Sequence, residues 1–128
     1  MARKIVAGIL RRAGTVLICQ RARSGAQPLR WEFPGGKLEA GEEERLGLER
    51  ELREELGIEA RVGRVFARIR HTYAETGELD LVFFEVTRFE PEPVNRVFEA
   101  MVWEQPARLG SYDFLEADRP VLELLLNS

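Results

Sequence analysis

Glu51, Glu54 and Glu55 fall at i, i+3 and i+4 of a segment, 42–56, that lacks proline, holds Gly47 as its only glycine and is rich in Glu, Arg and Leu. At 3.6 residues per turn these positions share one helical face, so their carboxylates can converge on one point. Arg50 lies one turn before Glu54 and can hold it by an ion pair. Just upstream, Pro34-Gly35-Gly36-Lys37 brings backbone free of side chains to the start of this segment. Carbonyl oxygens there can approach a hard cation, and Lys37 can meet a phosphate. A donor set of oxygens alone, with no His or Cys cluster, favours Mg²⁺ or Mn²⁺ over zinc. Taken alone, the glutamates have a second reading, because a Glu/Arg-rich helix is ordinarily a solvated face whose ion pairs contribute about a few tenths of a kcal/mol each. The glycine loop directly before them weighs against it.

To aim these groups, the helix needs a second, apolar face. Leu48, Leu52 and Leu56 supply it at i, i+4 and i+8, about 100° around the axis from the acidic face. The helix, expected over Glu42–Leu56 and closed by Gly57, can then dock by its leucines while the carboxylates look into a cleft. Ile5–Leu10 and Thr15–Arg21 read as strands joined by a turn at Gly14, and Ser24–Leu29 reads as a loop. Trp31-Glu32-Phe33 is a brief strand that Pro34-Gly35-Gly36 should end. Arg61–Tyr73 and Leu79–Phe89 read as longer strands linked by a turn at Glu75-Thr76-Gly77, and Met101–Trp103 as a short one. Pro106–Leu109 suits a helical turn. Arg119–Asn127, with Pro120 near its start and Leu122, Leu125 and Leu126 on one side, suits a terminal helix. This order predicts an α/β fold, a mixed sheet with helices on its faces.

The chain has 128 residues, 45% of them hydrophobic, which suits one compact domain over 1–128. With 22 acidic against 19 basic residues and a formal net charge of −3, nothing draws it to a nucleic-acid polymer. Cys19 is the one cysteine and reads as a small hydrophobe in a buried strand. Arg3-Lys4 before Ile5–Leu10 has the order of a secretion signal, but the apolar run is too short and stops at Arg11-Arg12. No segment has the length of a membrane span, so a cytoplasmic protein is expected.

Read as one segment, Gly36, five residues, Glu42, seven residues and then Arg50-Glu51-Leu52-Arg53-Glu54-Glu55-Leu56-Gly57-Ile58 resembles the Nudix box at every defined position. A shuffled chain of this composition would match with a probability on the order of a few in a million. Trp31-Glu32-Phe33-Pro34-Gly35-Gly36-Lys37-Leu38-Glu39, and Asp118-Arg119-Pro120 before a helix, are similar to the MutT-type branch. The resemblance implies the Nudix fold, a mixed β-sheet sandwiched between α-helices with a catalytic loop-helix-loop that binds Mg²⁺ or Mn²⁺. It implies hydrolysis of a nucleoside triphosphate to nucleoside monophosphate and pyrophosphate, with water attacking the β-phosphorus. Carried over residue by residue, Glu51, Glu54 and Glu55 would be metal ligands, one of them aiding deprotonation of water. The Gly35 carbonyl would be another ligand, Arg50 would orient the glutamates, Glu42 would cap or brace the helix and Gly57 would close it. One departure stands out. The branch often carries a further glutamate about six residues before a Trp of the following strand, and that slot before Trp103 holds Val97. Glu99 is the candidate replacement as a metal ligand; its other reading is an exposed loop carboxylate.

The resemblance places Arg21 against substrate phosphate or sugar, with Arg23 following in the loop. Phe33 could stack under a base or belong to the core, and Trp31 and Trp103 read as packing. His71 has no acidic partner in sequence and reads as structural rather than as a general base. Asp118 stands where this branch puts a base-reading Asn or Asp, or else it caps the helix that follows. An ionised Asp only accepts, so against the N7–H and O6 of 8-oxoguanine it is mismatched at O6, whereas Asn matches both. Adjacent donors suit it better, as on guanine N1–H and N2–H or the cytosine N4 amino group; a protonated Asp in a dry pocket would recover the 8-oxoguanine pattern. The expected activity is removal of oxidised nucleotides such as 8-oxo-dGTP. A CTP/dCTP pyrophosphohydrolase and a non-catalytic nucleotide sensor are the alternatives.

Overall fold

The structure, a computed structural model, describes residues 2–128. β1 (Arg3–Arg12) and β2 (Thr15–Gln20) form a hairpin whose two loop residues, Ala13 and Gly14, have φ of 51° and 79°. That pair of left-handed conformations matches the strand twist. Only Arg11↔Val16 and Arg12↔Thr15 pair before the strands diverge. β1 continues between β7 (Gly77–Val86), to which it is parallel, and β4 (Gly35–Lys37), to which it is antiparallel, with β6 (Val65–Tyr73) beyond β7. β2 runs between β3 (Trp31–Glu32) and β9 (Ala100–Glu104). The seven-stranded sheet therefore splits into two ribbons that share the hairpin. Segment 31–37 crosses from one to the other, and the Gly8 amide fixes the crossing by donating to the Pro34 carbonyl at 2.8 Å.

Helices cover both faces, as expected. α1 (Glu44–Leu56) buries Leu48, Leu52 and Leu56 against Val6, Leu10, Leu17, Cys19 and Phe84. On the opposite face, Leu109 of a 3-10 turn (Pro106–Ser111) and Val121 and Leu125 of α2 (Arg119–Leu126) pack on Ile9, Val16, Ile18 and Phe83. β1 feeds both cores by alternation, as a strand with a parallel neighbour and two covered faces must. No helix is long and apolar enough to cross a membrane among the described residues.

Several boundaries differ from the sequence reading. α1 starts at Glu44 because Glu43 is its N-cap, the carboxylate accepting from the Leu46 amide at 3.0 Å. It ends as expected on Gly57, at φ 67°, whose N–H returns to the Arg53 carbonyl. Pro34-Gly35-Gly36 does not simply end the strand, since Gly35–Lys37 pairs with β1. The two longer strands are each interrupted: β5 (Glu59–Arg61) and β8 (Arg88–Glu90) pair as a separate two-stranded sheet. The inward face of α2 is Val121 and Leu125, one turn apart, while Leu126 is exposed.

Candidate active site

Arg50 ties the loop before α1 to the acidic face of the helix. Its Nε and Nη2 donate to Glu42 at 2.7 and 2.9 Å, Nη2 also reaches the Lys37 carbonyl at 3.2 Å, and Nη1 bridges Glu51 and Glu54 at 3.2 Å each. These bonds, joined by the Glu39 amide, hold the Glu42 carboxyl down to about 2. Glu42 thus braces the loop, and the capping role belongs to Glu43.

The glycines matter because other groups occupy the space a side chain would need. A Cβ on Gly36 would come within 2.5 to 2.7 Å of the Glu51 carboxylate, and one on Gly35 would run into the backbone of Val6 and Ala7. The Gly35 amide donates to Glu55 Oε1 at 3.1 Å. Burial pushes the Glu55 carboxyl up to about 9, with the nearby carboxylates of Glu51 and Glu32 adding to it. Burial raises Glu51 as well, against the opposing pull of Arg50. Glu54 instead leaves 58% of its side chain exposed. The three helical glutamates share a face, yet among the described residues no cluster of three acidic, His or Cys side chains stands ready to hold a metal.

Glu32 is a site residue the sequence reading did not single out. It pairs across the ladder with Cys19, on the α1 side of the sheet, and accepts from Arg21 Nη1 at 2.9 Å. Burial raises its carboxyl despite Arg21. The alternation of Trp31-Glu32-Phe33 was the available signal: with both aromatics turned to one core, the glutamate must face the other.

Arg21, Glu32, Phe33, Gly35, Lys37, Glu55 and Asp118 line a cavity of about 300 Å³, whereas Glu51 and Glu54 are outside its lining. Phe33 is buried against Phe83 and Phe114, with ring centroids at 6.1 and 5.4 Å, and still lines the cavity. Asp118 does not cap α2. A 3-10 turn, Glu116–Asp118, runs straight into the helix, so Asp118 already has helical φ and ψ of −88° and −15° and makes no side-chain cap bond. Its carboxylate, only 3% exposed, turns inward and accepts from the Phe33 amide at 3.4 Å. Burial, then the charge of Glu32, raises it well above the ordinary range. Glu99 is not brought to this cavity; it pairs with Arg23 at 3.4 Å while its amide donates to the Gln20 carbonyl. His71 meets an acidic partner distant in sequence, Glu116, at 3.6 Å.

The loop that carries Val97 is laced to the end of α1. The Val94 amide donates to the Leu56 carbonyl at 2.9 Å, the Arg96 amide to Glu55 at 3.2 Å, and Arg96 Nη1 to Arg53 at 3.3 Å. The Arg96 guanidinium lies over Gly57, where a Cβ would come within 2.8 Å of Nη2.

Of three partly or fully buried carboxylates, Glu32 pairs with Arg21 and Glu51 with Arg50, while Glu55 is met by the Gly35 amide and no guanidinium among the described residues, and each is raised by burial. This is an oxygen-only donor set short of positive charge, and a hard divalent cation beside Glu51, Glu55 and the Gly35–Gly36 backbone fits it. The model of the NUDIX domain family matches residues 5–124. The chain belongs to the Nudix hydrolase family. Among its relatives, a Mycobacterium tuberculosis protein named putative 8-oxo-dGTP diphosphatase 2 is 42% identical over 115 residues, 90% of this chain and 82% of that protein. The CTP pyrophosphohydrolase of Escherichia coli is 39% identical over 124 residues, 96% of this chain and 90% of that enzyme. The solution structure of the E. coli ORF135 protein superposes with a TM-score of 0.87 at 36% identity, covering 98% of this chain and 89% of that one. The MutT-type resemblance and the Nudix fold expected from the sequence both hold.

Proposed function

We propose that this Nudix hydrolase, acting over 1–128 as one unit in the cytoplasm, cleaves nucleoside triphosphates to nucleoside monophosphate and pyrophosphate with Mg²⁺ or Mn²⁺. The observation that carries this reading is the cavity on which the buried glutamate of the helix, Glu55, and the buried acceptor Asp118 both open. A phosphate chain held near Glu55 and Lys37 leaves its base within reach of Asp118 and Phe33.

In this reading Glu51, Glu54, Glu55 and the Gly35 carbonyl would hold the cation, which would supply charge to neutralise the polyphosphate and lower the cost of activating water. Arg50, gripped by Glu42, keeps Glu51 and Glu54 aimed. Glu55, whose buried carboxyl lies at about 9 without a cation, would release its proton to solvent on becoming a ligand. Lys37, whose side chain has no partner among the described residues, and Arg21 take phosphate oxygens. Glu99 is left out of the ligand set by its pairing with Arg23.

A relative is named for CTP, and the cytosine N4 amino group suits an acceptor such as Asp118, so CTP or dCTP is the second reading. The test is pyrophosphate release from dGTP, 8-oxo-dGTP, CTP and dCTP with Mg²⁺ and with EDTA. Cation-dependent pyrophosphate release supports the reading. Release of inorganic phosphate overturns the cleavage position, and nucleotide binding without turnover makes the domain a sensor.

A further inference from the structure

Residues 71 and 73 of β6 project to the same side of the sheet. There Tyr73 holds the short turn Glu116–Asp118, its hydroxyl oxygen accepting the Ala117 amide at 2.9 Å, while His71 Nε2 stands 3.6 Å from Glu116 without a hydrogen bond. The His71 and Tyr73 rings meet edge to face at a centroid distance of 4.4 Å, which fixes the tyrosine's direction. Tyr73 also lines the same cavity as Asp118. A phenol both donates and accepts. Here the acceptor function is used by Ala117, while among the described residues no protein oxygen accepts the Tyr73 proton.

Asp118 is held in a complementary way. Its Oδ2 accepts from the Phe33 amide, and no protein donor among the described residues takes its other oxygen. The cavity is therefore lined by an open acceptor, Asp118, and by an open donor, the Tyr73 hydroxyl, which is bonded to the residue that precedes Asp118. With Oδ2 held by the Phe33 amide, Asp118 has one oxygen left for the base, and one oxygen cannot serve both an N–H and the carbonyl beside it. The phenol supplies the missing donor.

We propose that Tyr73 is a specificity-determining residue that donates its hydroxyl proton to the 6-carbonyl of a guanine-type base while Asp118 accepts from the adjacent ring N–H. The assignment rests on the cavity being the nucleotide site proposed above. Cytosine, with an amino group beside a ring nitrogen, is the competing occupant, and it is an outcome of the test.

The experiment is calorimetric binding of three nucleoside monophosphates to wild-type protein and to Tyr73→Phe, which keeps the ring packing. The ligands are dGMP, the 2-aminopurine deoxyribonucleoside monophosphate, which lacks the 6-carbonyl and with it the N1–H, and dCMP. Loss of one neutral hydrogen bond should weaken dGMP by about five- to tenfold and leave the 2-aminopurine nucleotide within about twofold. An equal loss on both purines means that Tyr73 only braces the turn, and no loss on either means that it does not touch the base; each overturns the proposal. A loss confined to dCMP assigns the donor to cytosine and overturns it too. If Tyr73→Phe does not fold, the wild type decides, since absence of any preference for dGMP over the 2-aminopurine nucleotide overturns the donor role. Wild-type turnover of nucleoside triphosphates is recorded alongside: intact turnover with an unmoved dGMP ratio sinks this inference alone, whereas no turnover sinks the cleavage reading while the binding ratio still stands or falls by itself.

Discussion

Gly35 and Gly36 are neighbours in β4, yet alanine should act on them in opposite ways. At Gly36 the three heavy atoms nearest the new methyl all belong to the Glu51 carboxylate, at 2.5 to 2.7 Å, and that is the mobile end of a side chain. Swinging it away breaks the Arg50–Glu51 pair, partly exposed and held at 3.2 Å, at a cost of about 1 kcal/mol. Removing a glycine from the unfolded chain returns roughly 0.4 to 1 kcal/mol. The two nearly cancel, so Tm should move by no more than about 5 °C. Turnover responds differently, because Glu51 can no longer lie against the Gly36 backbone where the cation is proposed to sit. Losing that charge term costs several kcal/mol in the transition state, about a hundredfold or more in kcat. At Gly35 the methyl meets backbone, with Ala7 Cα at 2.7 Å and the Val6 carbonyl closer still, and φ is +155°. Neither neighbour can swing aside, so Gly35→Ala should cost about 3 kcal/mol or more and loosen the β1–β4 pairing. Calorimetric Tm and Mg²⁺-dependent pyrophosphate release on both purified variants test this. A Gly36→Ala protein with wild-type turnover, or one that unfolds as readily as Gly35→Ala, would refute the reasoning.

Glu55→Gln and Glu54→Gln should each lower turnover by at least about a hundredfold with the fold retained; near-normal turnover in both removes this face from catalysis. Because the Glu55 carboxyl lies at about 9 in the folded protein, above its ordinary value of 4.5, its contribution to stability is present below 4.5 and lost as pH rises toward 9. In EDTA, Glu55→Gln should therefore melt above wild type at pH 8, the gap closing toward pH 5; identical melting curves at pH 8 would contradict the burial argument. Asp118→Asn should shift kcat/KM toward 8-oxo-dGTP over dGTP, CTP and dCTP by about 1–3 kcal/mol. A uniform fall across all four substrates would assign Asp118 to structure.

What the sequence disclosed follows what local rules govern. The leucine stripe and glutamate face of α1 depend on helical periodicity alone, and both appear where spacing puts them. Its start does not, because Glu42, Glu43 and Glu44 are alike until one of them finds the Leu46 amide. The Gly35–Lys37 strand has no propensity of its own and exists because β1 offers an unpaired edge that only glycine can approach. Val62–Arg64 and Thr87 look like strand interior, yet there the chain leaves the main sheet for the β5–β8 pair, a tertiary choice. Glu32, Tyr73 and the inward turn of Asp118 are long-range facts: each is defined by what packs against it from elsewhere in the chain. Arg50 was legible as a partner of Glu54, but its stronger hold on Glu42 required the loop to fold back.

The lacing of segment 94–96 to α1 also bears on motion. Glu54 and Glu55 sit in the last turn of their helix, the part that frays first in a free helix because its carbonyls lack partners. Here the carbonyls of Arg53, Glu55 and Leu56 are taken by Arg96 and Val94. Opening that turn therefore requires the strap to lift with it, so the amides of Val94 and Arg96 should exchange with solvent at the pace of the proposed metal-binding turn rather than at that of a surface loop. The stiffness of the carboxylate face thus depends on a segment that lies outside the cavity lining and is distant in sequence, Arg96 standing 43 residues beyond Arg53.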